Sequence, residues 1–142
     1  MLKKEITYTD YDGNVRTEVF YFNMNKAEIT EMEMSEKGGL SEMLKKIIGE
    51  KDNKRMIDTF KDLILKAYGV KSADGKVFKK TQELRDEFSQ TEAYVELFME
   101  LASDADAAAT FVRGIIPNMK DAIANVNTIQ NNLKSGEYTN FK

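Results

Sequence analysis

Apolar positions recur at spacings of three and four through most of the chain, and the densest such run is Ser89 to Pro117, SQTEAYVELFMELASDADAAATFVRGIIP. Tyr94, Leu97, Phe98 and Leu101 fall on one side of a helix and make that side large and aromatic. Ser89 followed three residues later by Glu92 is a capping-box signature, so the spacing predicts a helix opening at Gln90. Asp104 is placed to accept from the first N–H groups of a second helix. Its early turns, Ala105 to Ala109, are nearly all alanine before Phe111, Val112, Ile115 and Ile116. Pro117 closes it. Small side chains let a neighbouring backbone come close, so the expected helical hairpin is tight. Its apolar side serves either of two purposes: it is the core of a small helical domain, or part of it, around Tyr94, Phe98, Phe111 and Ile115, is left for a partner helix. Periodicity alone leaves both open.

Near the start of the chain the period changes to two. The runs KEITYTDY and VRTEVFYF flank Asp12-Gly13-Asn14 and predict a β-hairpin. Ile6 and Tyr8 share a side of the first strand. In the second strand both sides are apolar, Val19 with Tyr21 and Phe20 with Phe22. A lone two-stranded ribbon is marginal in water, so this one must lie on the helices or pair its open edge with another chain.

Asn25 with Glu28 predicts a capped short helix carrying Ala27, Ile29, Met32 and Met34 and ending at Gly38-Gly39. A further helix is expected from Leu40 to Ile48. Another opens at Asp52 or Asn53, with Met56, Ile57, Phe60, Leu63, Ile64 and Ala67 as its stripe and Gly69 at its C-terminal end. Residues 69–80, with Asp74-Gly75, predict a turn or short hairpin. Thr81 caps a helix through Phe88. Met119, Ile123, Val126, Ile129 and Leu133 predict a weakly specified, Asn-rich helix to about Lys134.

The expected fold class is mainly α, a small helical domain with an N-terminal β-hairpin, or α+β by strict count. A chain of 142 residues suits one domain: hairpin 3–22, helical core 25–117, C-terminal helix 118–134 and flexible tail 135–142.

Composition removes more functions than it adds. The chain has no cysteine and no histidine, which excludes Cys or His zinc sites, thiol nucleophiles and any imidazole-based triad. A net charge of -3 leaves no excess of cations for phosphates, so no nucleic-acid partner is expected. No apolar stretch has the length to span a bilayer and none follows Lys3-Lys4 as in a secretory signal, so neither membrane nor export is expected. Asp104 and Asp106 fit a helix start better than a metal pair, and Asp74 lacks the companion acids of a calcium loop. Glu96 and Glu100 share a side of one helix, for which solvent is a sufficient reason. No catalytic, cofactor-binding or metal-binding residue is expected. The methionines Met24, Met32, Met34 and Met43 share spacing with Ile and Leu and are expected mainly in the core, with an adaptable Met-rich surface as the alternative.

The run EFSQTEAYVELFMELASDADAAATFVRGIIP, with FKDLILKAYGVKSADGKVF before it and the opening ITYTDYDG and FYFNMNKAEITEME, resembles the tail assembly chaperones of long-tailed phages of Gram-positive bacteria. The resemblance covers Ile6 to Pro117 and is most specific from Ser89 on. It implies a non-catalytic protein of the bacterial host cytoplasm, absent from the mature virion. Such a protein binds the tape measure protein and keeps it soluble while tail tube subunits assemble around it. The tail tube protein and a second copy of the chain are further partners it suggests, and some members are also made in a longer, frameshifted form. Helix-in-groove binding is the mechanism this implies, and the apolar excess at Tyr94, Phe98, Phe111 and Ile115 is the reason to expect the groove there. A structural virion subunit, whose ribbon extends a neighbour's sheet, is the alternative.

Overall fold

The computed structural model describes residues 1–35 and 53–116; the helix expected at Leu40 to Ile48, Met43, and the segments 118–134 and 135–142 lie outside them. Strands β1, Leu2–Thr9, and β2, Val15–Phe22, form the expected antiparallel hairpin, with Leu2 opposite Phe22 and Thr9 opposite Val15. Asp10 ties its turn: Oδ1 accepts from the N–H groups of Asp12 and Asn14, each at 2.9 Å. Gly13 supplies the φ of 87° that side-chain-bearing residues rarely adopt. The pleat turns Ile6, Phe20 and Phe22 inward and leaves Thr7, Thr17 and Val19 exposed.

The ribbon both lies on helices and gains strands. Helix α1, Lys26–Ser35, follows β2, and helix α2, Asn53–Ala67, runs without a break into β3, Tyr68–Lys71. β3 pairs antiparallel with β2, placing Tyr68 opposite Phe22, and β4, Phe78–Lys79, pairs with β3 to complete a sheet of order β1-β2-β3-β4. The protein is therefore α+β, with five helices on a four-stranded antiparallel sheet among the described residues. Gly69 is not the helix stop that its position suggests. It sits in the strand, where an added Cβ would lie 2.7 Å from the Phe78 ring and 3.0 Å from the Lys79 carbonyl oxygen.

Helix α3, Gln82–Ser89, is capped as expected, the Thr81 hydroxyl accepting from the Leu84 N–H at 3.1 Å. The next cap is displaced. Ser89 belongs to the end of α3, where its hydroxyl donates to the Asp86 carbonyl, and Thr91 opens helix α4, Glu92–Ser103, by accepting from the Tyr94 N–H. Thr91 wins because its hydroxyl also donates to the Phe88 carbonyl at 2.7 Å, closing one helix while starting the next. Asp104 then caps helix α5, Ala105–Ile115, accepting from Asp106 and Ala107 at 2.9 and 3.2 Å. That assignment follows the sequence.

One core lies between the inward side of the sheet and the helices. Phe22 is fully buried, edge-on to Phe111 at 5.3 Å between ring centres and to Phe88 at 5.8 Å, while Tyr68 stacks flat on Phe88 at 4.1 Å. The small-residue side of α5 does admit a close neighbour: at Gly114 a Cβ would meet Leu2 of β1 at 2.9 Å. After β2 the backbone is held at both ends of the helical layer, Asn23 N–H donating to the Ala67 carbonyl and Met24 N–H to the Ile115 carbonyl, each at 2.8 Å.

Candidate partner-binding site

The residues that the sequence nominates for a partner are brought together, but mostly inside. Tyr94 is 8% exposed, Phe111 3% and Ile115 0%. Tyr94 meets Phe88 edge-on at 5.7 Å and Phe98 at 6.1 Å, so these rings continue the aromatic core. Phe98 alone of the four keeps part of its surface. It packs on the core as Val95 and Met99 on the same helix stay exposed, Met99 at 57%. The outer edge of the nominated face is thus Val95, Phe98 and Met99, with Tyr94 beneath.

A second surface lies where α1, α2 and α3 meet, in a cleft of about 540 Å³. Its floor is apolar: Met24 and Met32 are buried and Leu65 half-buried. The exposed rim carries Glu31 of α1 and Asp62 and Lys66 of α2, and Arg85 of α3 forms the opposite wall. Of the methionines expected in the core, Met24 and Met32 are there and Met34 is not, being 85% exposed. Helix α2, which carries Asp62 on the cleft rim, also packs against α4, and the Asp62 charge acts on Tyr94 there. Burial, and after it Asp62, holds the Tyr94 hydroxyl above its ordinary range.

The polar wall beside this cleft is organised by Glu28. Asn25 and Glu28 form the predicted capping box at 2.8 and 3.0 Å, and both Glu28 oxygens also accept from Lys80 Nζ, at 2.8 and 2.7 Å. Lys80 donates a further bond to the Asn23 carbonyl. Burial pulls the Lys80 ammonium below its usual range, the Glu28 hydrogen bond and charge pull it back, and the Arg85 cation adds to the lowering. Arg85 itself is different. Its guanidinium enters no hydrogen bond or ion pair among the described residues, and its Nε is covered with no acceptor.

Sequence reading missed Arg85, Asp62, Lys66 and Glu31 as a group. They come from three helices and look individually like solvated charges. Met24 and Met32 were the visible trace, since unbranched thioethers suit both a core gap and an adaptable wall.

A sequence without imidazole or thiol, an apolar helix edge and a charged cleft with a greasy floor together define a binding module. The chain belongs to the phage tail assembly chaperone family, whose sequence pattern matches residues 1–140, and it is a non-catalytic protein of tail assembly. The match runs past Pro117, where the resemblance read from the sequence ends, and takes in the Asn-rich segment. Neither a curated protein nor a solved structure matches the chain. Among the described residues no helix is long and apolar enough to cross a membrane.

Proposed function

We propose that this chain holds the tape measure protein of a long-tailed phage of a Gram-positive host in soluble form while the tail tube is built. It acts in the host cytoplasm and is left out of the finished particle. The observation that carries this reading, beyond family membership, is the exposed apolar edge of α4, where Val95, Phe98 and Met99 lie over a buried aromatic layer. A tape measure is a very long helical protein with apolar stripes, and an isolated amphipathic helix cannot bury its own stripe, so it needs a groove supplied by another chain. Phe98 is the contact residue of that groove, and Tyr94, Phe111 and Ile115 form its base.

Co-expression with the tape measure protein tests the assignment. Phe98→Asp is expected to fold, because the ring is only half-buried, and to lower the soluble fraction of the partner about tenfold, the effect of placing a charge in an apolar contact. A folded variant that keeps the partner as soluble as the parent does rules Phe98 out.

The position of β1 at the sheet edge supports a second reading, a tail subunit that extends a neighbour's sheet. Mass spectrometry of purified virions separates the two: the chaperone is missing from particles, the subunit is present in stoichiometric amount.

A further inference from the structure

We infer that the cleft between α1, α2 and α3 is the charge-reading end of the partner groove. It takes an acidic side chain that flanks the apolar stripe of a tail-protein helix, with Arg85 as the receiving cation. The inference rests on the chaperone reading above and adds to it a second contact of different chemistry.

Arg85 carries the first part of the reasoning. A guanidinium that lines a partly closed cleft ordinarily has a carboxylate or carbonyl to bind, because its donors lose water on burial. Beside it stands Lys80, another cation, which the Arg85 charge pushes further down. The anion on that wall, Glu28, is already engaged by Lys80 through both oxygens and by the Asn25 N–H. The wall therefore holds a positive charge that the described residues do not answer, with one covered N–H lacking an acceptor.

The remainder of the cleft says what kind of molecule brings the missing anion. Met24, Met32 and Leu65 form an apolar floor, from which a free inorganic anion gains nothing and against which a side chain or helix edge gains burial. Across from Arg85, Glu31 and Asp62 stand exposed on α1 and α2, with no cation among the described residues in an ion pair with either. A helix with an acid toward α3 and a lysine or arginine toward α1 and α2 matches both walls. Helix α2 packs against both α3 and α4, so one helix laid along α2 runs from the cleft toward the Val95, Phe98 and Met99 edge.

The test measures binding of a tape measure fragment to the full-length chain and to Arg85→Glu, Arg85→Lys, Phe98→Asp and, as a control on an exposed cation of α5, Arg113→Glu. Urea midpoints establish that each variant is folded, and Arg85→Gln replaces Arg85→Glu if the latter is not. The expected result is a loss of about tenfold or more for Arg85→Glu, with Arg85→Lys and Arg113→Glu much closer to the parent. Changing the matching acid of the fragment to lysine is expected to recover binding to Arg85→Glu. If Arg85→Glu binds as the parent does while Phe98→Asp fails, the cleft is overturned and the chaperone reading stands. If the unmodified chain does not bind the fragment, both fall. If inorganic phosphate alone shifts the Arg85 Nε resonance and displaces the fragment, the cleft is an anion site and the helix assignment is overturned.

Discussion

The seam where α4 and α5 cover the sheet and the cleft where α1, α2 and α3 meet both contain long apolar side chains, yet they reach opposite ends. At the seam, Phe22, Phe88, Tyr94 and Phe111 find rings on every side, and the caps Thr91 and Asp104 satisfy the helix starts. In the cleft, Met24 and Met32 are equally buried but sit below a cation and two carboxylates that find no ion-pair partner among the described residues. Most of the greasy stripe of α4 and α5 is therefore used by the fold itself, and only its Val95, Phe98 and Met99 edge is left over. Unmatched charge beside an apolar floor marks what it leaves for another molecule.

The sharpest way to break this comparison is at the seam. Phe111→Ala removes a ring that is 3% exposed and edge-on to Phe22, and it is expected to cost about 3–5 kcal/mol in urea denaturation. A cost below about 1 kcal/mol would mean that the seam is loosely packed and open to a partner after all.

A smaller effect is expected on the polar wall between the two regions. Glu28→Ala removes the reciprocal cap of α1 and strips Lys80 of its carboxylate, for an expected loss of about 1–3 kcal/mol. Glu28→Gln retains an oxygen for the Asn25 N–H and is expected to lose less. Equal losses for the two would show that charge pairing, and not the cap, holds this wall.

The smallest effect separates the regions by sign. Tyr68 and Tyr94, at the seam, have native values raised above 10.0, chiefly by burial. Their contribution to stability is complete below pH 10.0 and is lost as pH rises through the native values, because the unfolded chain releases its protons first. Lys80, beside the cleft, is shifted down from 10.5 by burial, so the native state gives up its proton first and stability gains as pH climbs toward 10.5. Stability measured from pH 9 upward is expected to fall less steeply in Tyr68→Phe, and more steeply in Lys80→Met, than in the parent. The reverse order would reject the burial assigned to these groups.

How far the sequence reached depends on the range of the interaction involved. The hairpin turn at Gly13, the Asn25 and Glu28 box, the Thr81 and Asp104 caps and the stripe of α2 are contacts between near neighbours, and all were readable. Ser89 with Glu92 matches the local capping-box pattern, whereas the bond from Thr91 to the Phe88 carbonyl exists only once α3 has been placed. The pairing of β3 with β2 was invisible because YGVK has no alternation, and a glycine after a helix looks like a stop. Tyr94, Phe111 and Ile115 carried no mark distinguishing a buried ring from an offered one, since that is decided by the sheet packed against them. The cleft was beyond pattern altogether, for its walls are assembled from Glu31, Asp62 and Arg85 on separate helices.

The union of the first strand with the last two described helices, through Lys4 with Glu100 of α4 across 96 positions and Leu2 against Gly114 of α5, sets an order for how the molecule is made. The β1–β2 ribbon depends on local contacts and can form as soon as it leaves the ribosome, but its inner side is not closed until α5, the last of the described helices that cover it, emerges. At ordinary translation speeds that interval is on the order of 5–20 s, during which Phe20 and Phe22 face water. A member of a tail assembly chaperone family thus passes through a stage in which its own aromatic side chains are uncovered.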